Sequence, residues 1–296
     1  MFKNLDVQAL GFSGAPSQVI ESALSAGFKA VSLDMVEFAA AAKEQGLPKA
    51  RRLLDSARLK ISGFRLPLDW NSDDKAFAAE LERIGELAAL AKELSCTRAT
   101  TTVLPGNDER PFHQNFEFHR QRFGAIGQKL EPLGIRLGVG IDASAEGRAN
   151  KAFQFITAYD TLQMLLGMVQ ASNVGVVVDT WDIIASGGSI ETMGRFGVEK
   201  IVEVRLSDAS GSHETGQWPA SSRALPTVGG AIDAATVLGT LADLGYDGPV
   251  TPLAHGSQMP GRGREAIVKA AGQALDAAWK AAGLTPAGKR GATARS

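Results

Sequence analysis

Short apolar runs separated by longer stretches of mixed polarity set the rhythm of this chain. Such runs stand at 7–11, 30–34, 61–66, 98–103, 136–141, 175–179, 201–206 and 250–253, each followed by turn residues. A strand covered on both faces reads as a nearly continuous apolar run, and alternation with amphipathic stretches is what parallel strands joined by crossover helices require. The intervening stretches carry a helical period. After the third run, Phe77, Leu81, Ile84, Leu87, Ala88, Ala91 and Leu94 recur at intervals of three and four, with Lys75, Glu80, Glu82 and Lys92 on the other faces. That stripe predicts a helix laid on a sheet.

Glycine marks several junctions where a helix gives way to a strand: Ala26-Gly27-Phe28, Leu133-Gly134-Ile135 and Leu244-Gly245-Tyr246. A left-handed residue at that point ends the helix without steric penalty and turns the chain into the sheet. Eight such units predict closure into an α/β fold of the (β/α)8 barrel type, one domain over residues 1–284. Residues 285–296 are small, basic and contain Gly and Pro, and are expected to form a flexible tail. An open, doubly wound sheet is the competing topology, but the first run leads into Gly11-Phe12-Ser13-Gly14-Ala15-Pro16, which lacks the G-x-G-x-x-G spacing of a dinucleotide fold.

Composition narrows the range of partners. With 31 basic and 32 acidic residues intermixed along 296, the formal charge is −1, so no broad field exists to attract a nucleic acid or a membrane surface, and a small-molecule ligand is expected instead. The single cysteine, Cys96, excludes an internal disulfide and a thiolate metal cluster, and its apolar setting suits a buried thiol. The first residues lack the charged-then-apolar pattern of a secretory signal and no run is long enough to span a bilayer, so a cytoplasmic location is expected.

In a closed α/β barrel the functional groups gather at the C-terminal ends of the strands. Here those positions hold Asp34, Arg65, Thr101, Thr102, Asp142, Asp179, Asp182, Arg205, Ser207, Asp208 and His255, with Trp181 and Trp218 as possible apolar walls. Of the four histidines, His113 and His119 lie in a polar stretch that suggests solvated or capping roles, His213 lies in a loop expected to be exposed, and His255 follows the last strand. Arg223 lies in a loop after the seventh strand, and Arg262 and Arg264 lie where barrels often bind phosphate. No Ser/His/Asp elbow and no phosphate-cradling G-x-x-x-x-G-K-[ST] occurs.

Four segments carry a family resemblance: 63–70 (Gly-Phe-Arg-Leu-Pro-Leu-Asp-Trp), 173–181 (Asn-Val-Gly-Val-Val-Val-Asp-Thr-Trp), Leu206-Ser207-Asp208-Ala209 and 245–251 (Gly-Tyr-Asp-Gly-Pro-Val-Thr). In order and spacing they resemble the sugar phosphate isomerase/epimerase family of xylose-isomerase-like barrels, over about residues 7–282. The resemblance implies a divalent cation held by a Glu on the fifth strand, an Asp on the sixth, a His on the seventh and a Glu on the eighth, polarising a carbonyl or enediolate during proton transfer. The matching positions here are Gly140, Asp179, Arg205 and Leu253, and the family's Asp-x-x-His reads Asp179-Thr180-Trp181-Asp182. A guanidinium has no lone pair to donate to a metal and repels one, so no bound metal or other cofactor is expected.

Three readings follow. In the leading one, Arg205 takes over the electrostatic work of the cation in a metal-independent carbohydrate isomerase, epimerase or lyase, with Asp179 and Asp182 as catalytic carboxylates and Arg65, Asp142, Trp181, Arg223 and His255 binding substrate. In the second, Arg205 and Asp179 form an ion pair that fills the old site, and the barrel only binds a sugar or a partner, such as an active relative. In the third, Asp142, Asp179, Asp182 and His255 form a displaced metal site. Self-association is an expectation by analogy with other barrels.

Overall fold

The computed structural model describes residues 1–259 and 261–291. Eight strands close into a barrel: β1 (Phe2–Leu5), β2 (Ala30–Ser32), β3 (Lys60–Arg65), β4 (Arg98–Thr102), β5 (Arg136–Gly140), β6 (Val174–Asp179), β7 (Ile201–Leu206) and β8 (Pro249–Pro252). Each pairs in parallel with its neighbour, and β8 returns to β1 to shut the ring. The fold is therefore the predicted (β/α)8 barrel. The outer layer comprises α1 (Pro16–Ser25), α2 (Met35–Gln45), α3 (Leu47–Ala57), α4 (Asp74–Glu93), α5 (Phe112–Leu130), α6 (Tyr159–Met168), α7 (Thr180–Ala185), α8 (Ala234–Asp243) and α9 (Arg264–Ala281).

The local chemistry explains these elements. Asp73 caps α4 by accepting the backbone N–H groups of Lys75 and Ala76, and Phe77, Ile84, Ala88 and Ala91 bury the predicted stripe against the barrel. Each large side chain so buried stabilises the fold by about 1.5–3 kcal/mol. Every residue of β6 is buried, as a run of Val-Gly-Val-Val-Val-Asp requires. The junction glycines Gly27, Gly134 and Gly245 sit at φ of 76°, 70° and 79°. Among the described residues no helix is long and apolar enough to cross a membrane.

The first strand departs from expectation. The run at 7–11 is a 3-10 turn, Gln8–Leu10, closed by Gly11 at φ 85°, and the strand lies earlier, at Phe2–Leu5. Its inward residue is polar: Asn4 is fully buried and donates to Ser32 Oγ (3.0 Å) and Thr251 Oγ1 (2.9 Å), while Ser62 Oγ donates to Asn4 Oδ1 (2.6 Å). A satisfied polar lumen breaks the apolar pattern by which the other strands are recognised. The C-terminal segment also differs through residue 291, because Leu284 bridges Arg290 and the Arg290 guanidinium grips Asp243 at 2.6 and 2.9 Å. The rest of the predicted tail, 292–296, lies outside the described residues.

Glycine also sets how closely β6 and β7 approach. A Cβ on Gly175 would stand 2.2 Å from the Lys200 carbonyl oxygen, whereas one on Gly140 would meet nothing nearer than Val177 Cβ at 3.5 Å. Gly175→Ala is accordingly expected to destabilise the chain by about 1–3 kcal/mol, and Gly140→Ala to stay within about 0.5 kcal/mol of the parent, as read by urea unfolding.

Candidate functional site

Asp179 ends β6 and caps α7, its Oδ1 accepting the backbone N–H groups of Trp181 (2.9 Å) and Asp182 (3.2 Å). A short helix starting at the strand end places Asp182 beside it, and Asp182 Oδ1 accepts the Ala143 N–H at 2.9 Å. The strand itself is fixed from outside by Tyr159, whose hydroxyl accepts the Asp179 N–H and donates to the Val177 carbonyl.

Both carboxylates are bound by one guanidinium, and it is not that of Arg205. Arg223 donates from Nη1 to Asp179 Oδ2 at 2.6 Å and from Nη2 to Asp182 Oδ1 at 2.7 Å. The side chains of Arg223, Asp179 and Asp182 are only 12%, 5% and 3% exposed. The Arg223 guanidinium also lies 4.1 Å from the ring centre of Trp181, a cation–π contact in a dry setting. Burial acts against its charge, but the two carboxylates more than offset this and hold it protonated. Burial pushes the Asp182 carboxyl up to about 7; Arg223 works against that shift and Asp179 adds to it.

Arg205 faces its own strand instead. Although it pairs in register with Asp179 across β6 and β7, its Nη2 reaches back to Glu203 Oε2 at 3.5 Å, and its Nε is buried without an acceptor. Glu203 Oε1 accepts from Thr251 Oγ1 at 2.5 Å, so a hydrogen-bonded series runs across the lumen from Ser32 and Ser62 through Asn4 and Thr251 to Glu203 and Arg205. Burial opposes the charge of Arg205, while Glu203, then Asp6 and Asp179, raise its pKa. Glu203 escaped the sequence reading, though strand parity pointed to it: two residues before an inward Arg205, it must face inward too.

The remaining candidates do not converge on the carboxylates. Trp181 is fully buried, with its indole N–H on Ser222 Oγ, so it is packing and not a wall for substrate. Trp218 covers it edge-on, and Trp70 is buried with its N–H on Thr101. Asp142 accepts the Ser144 N–H and shapes its own loop. His255 is exposed and caps a short turn through Ser257, so the displaced cluster of Asp142, Asp179, Asp182 and His255 does not assemble. Among the described residues no group of three or more His, Cys, Asp or Glu stands close enough to hold a metal ion. Asp34 caps α2, Asp208 ties down its loop through Thr227 and Ile232, and Arg262 and Arg264 are exposed. His213 is exposed as expected, but His119 is buried, not solvated. Cys96 is buried and its thiol is pushed up to about 11 by that burial, which leaves it inert.

A cleft of about 130 Å³ stands over β1 to β3, bordered by Asp6, Ser13, Ser32, Asp34, Glu37 and Arg65. Asp6, Ser32 and Arg65 also border a separate small cavity of about 10 Å³ that reaches Thr100 and Glu203. Of the predicted substrate-binding residues, Arg65 alone lines it.

A family model described as xylose isomerase-like TIM barrel matches residues 20–278. The chain belongs to this family. Among solved structures, a xylose isomerase domain protein from Alicyclobacillus acidocaldarius superposes with a TM-score of 0.83 at 22% identity, over 95% of this chain and 99% of the other. The IOLI protein, with a zinc atom, gives 0.75 at 16% identity over 96% and 98%. A D-psicose 3-epimerase from Clostridium cellulolyticum H10, with D-tagatose, gives 0.71 at 14% over 95% and 99%. At these identities the likeness is one of fold. No curated protein matches the chain. Set against a divalent ion, the four positions named by the resemblance do not fit: Gly140 offers no donor, Leu253 is apolar, Arg205 is a cation, and the one oxygen of Asp179 not used in capping is taken by Arg223.

Proposed function

We propose that this member of the xylose isomerase-like family is a metal-independent barrel that binds a carbohydrate-like polyol in the cleft over β1 to β3, and that it has given up the proton-transfer chemistry of sugar isomerases and epimerases. The observation that carries this reading is the Arg223 fork, which occupies both carboxylates left at the family's reaction centre. No carboxylate remains at positions 140 and 253 to move a proton. The cleft suits hydroxyl groups, since Asp6, Asp34 and Glu37 offer acceptors, Ser32 a hydroxyl and Arg65 a donor fork.

A second reading has one observation in its favour. A carboxyl held near 7, as Asp182 is, has the pKa of a proton carrier, and Arg205 is a fixed cation able to stabilise an enediolate. In this reading the chain is a metal-free isomerase or epimerase whose Arg223 withdraws when substrate arrives. Incubation of the purified chain with a panel of ketoses and aldoses, with product analysis and thermal unfolding in EDTA and in Mn, Mg, Co and Zn, separates the two. Binding of a sugar without turnover, and melting indifferent to the metals, is the expected result. Turnover in EDTA replaces the first reading with the second, and turnover or stabilisation that depends on a metal sinks both.

A further inference from the structure

The opposite, N-terminal face of the barrel holds a larger cleft, of about 520 Å³, between the starts of β3 and β4 and the ends of α3 and α4. Three cations border it, Arg51, Lys60 and Arg98. Arg51 is committed, with Nε and Nη2 at 3.1 and 3.2 Å from the Asp55 carboxylate. Arg98 is not: among the described residues its one side-chain hydrogen bond goes to Thr97 Oγ1 at 3.3 Å, and its Nε is buried with no acceptor. Lys60, exposed at the head of β3, lies 5.7 Å above the Phe2 ring and has no carboxylate partner among the described residues. A single further carboxylate, Asp247, lines the cleft.

Behind the cleft the positive charge is reinforced. Arg136 is the register partner of Arg98 across β4 and β5, and its guanidinium donates to the Glu199 and Ile201 carbonyls. Burial first and the charge of Arg98 second lower the pKa of Arg136, while Tyr246, Asp247 and Glu199 act to raise it. An arginine with no carboxylate partner among the described residues and an unpaired ammonium, both bordering one cleft, form a locus that an oxyanion would complete. Phe2, Leu54 and Leu94 give the cleft an apolar floor, and a volume of this order exceeds what an inorganic ion fills.

We propose that this cleft is a binding site for a small organic phosphate, with the phosphoryl oxygens between Arg98 and Lys60 and the organic body on Phe2 and Leu94. The site lies on the face away from the carboxylates and the polyol cleft, so it does not depend on either reading of the function. Ser62, which lines the cleft and donates to Asn4, connects it by hydrogen bonds to the lumen.

Thermal unfolding of the full chain with inorganic phosphate and with phenyl phosphate tests this, each against sodium chloride at matched ionic strength. At ten times the dissociation constant either anion is expected to raise the melting temperature by about 2–4 °C, with phenyl phosphate acting at the lower concentration. Lys60→Gln and Arg98→Gln are each expected to weaken binding by about tenfold or more, Arg98→Lys by less, and Arg195→Gln, a distant exposed site, not at all. If Arg98→Gln fails to fold, Lys60→Gln carries the test, since Lys60 is exposed, and phosphorus NMR line widths of the parent chain report binding directly. Equal stabilisation by chloride, or unchanged affinity in Lys60→Gln, overturns the proposal.

Discussion

Replacing Arg223 with alanine is expected to destabilise the folded chain by about 3–5 kcal/mol, the scale on which removal of one partner from a buried ion network acts. The size follows from what is left behind. Asp179 and Asp182 are almost wholly buried, and without Arg223 their remaining donors are the backbone N–H groups of Trp181, Asp182 and Ala143. Trp181 also loses the cation on its face. Arg223→Lys keeps the charge but cannot fork onto two carboxylates, so an intermediate loss is expected. Neutralising the acids together with the base, in Arg223→Met with Asp179→Asn and Asp182→Asn, is expected to recover part of the loss, because no buried charge then stands alone. Urea unfolding with an unchanged slope is the measurement. A loss below about 1 kcal/mol for Arg223→Ala means that the carboxylates are solvated or protonated, and the clamp that supports the binding reading falls with it.

That clamp also shows where the sequence ceased to be informative. Strands β2 to β8 were legible to within a residue or two at their ends, because each is an apolar run between turn residues. β1 was not, since Lys3 and Asn4 interrupt it and the buried Val7, Ala9 and Leu10 form the more convincing run. At the site, the places of Asp179 and Asp182 could be read from position alone. The pairing could not. Strand register sets Arg205 opposite Asp179, yet an arginine is long enough to choose among acceptors, and Glu203 on the same face of the same strand claims it. Arg223 reaches the carboxylates from a long loop whose path is fixed by contacts invisible in sequence: Ser222 to Trp181, the Arg223 carbonyl to His255, and the Asp208–Ala209 pairing with Arg223–Ala224. Loop geometry of that kind has no periodicity to betray it.

His119 was misread for a related reason, and it carries the second large effect. Extended backwards from Leu130, Ile126 and Phe123, the buried stripe of α5 falls on Arg122, His119 and Asn115, so polar residues occupy core positions of a helix that reads as solvated. His119 is 1% exposed, its ring centre 4.7 Å from Trp70 and 4.6 Å from Phe155. Nδ1 donates to the Asn115 carbonyl at 2.7 Å, while Nε2 has no partner among the described residues. Burial lowers its pKa to about 4.

Between pH 6.5 and 4 the unfolded chain therefore takes up a proton that the folded chain refuses, and folding stability falls as pH falls, by about 3 kcal/mol across the window. Asp182 has the opposite sign over nearly the same range: its folded carboxyl keeps a proton up to about 7, whereas the unfolded one releases it near the ordinary carboxylate value, so its contribution grows as pH falls. The parent profile is thus flatter than either group alone would make it. His119→Phe separates them. Phenylalanine suits the aromatic surroundings and leaves Asp182 untouched, so the variant is expected to be close to the parent at pH 7 and more stable than it by about 3 kcal/mol at pH 4. Urea unfolding at the two pH values reads the difference directly. A gap between parent and variant that does not change with pH means that His119 takes up its proton alike in the folded and unfolded chain.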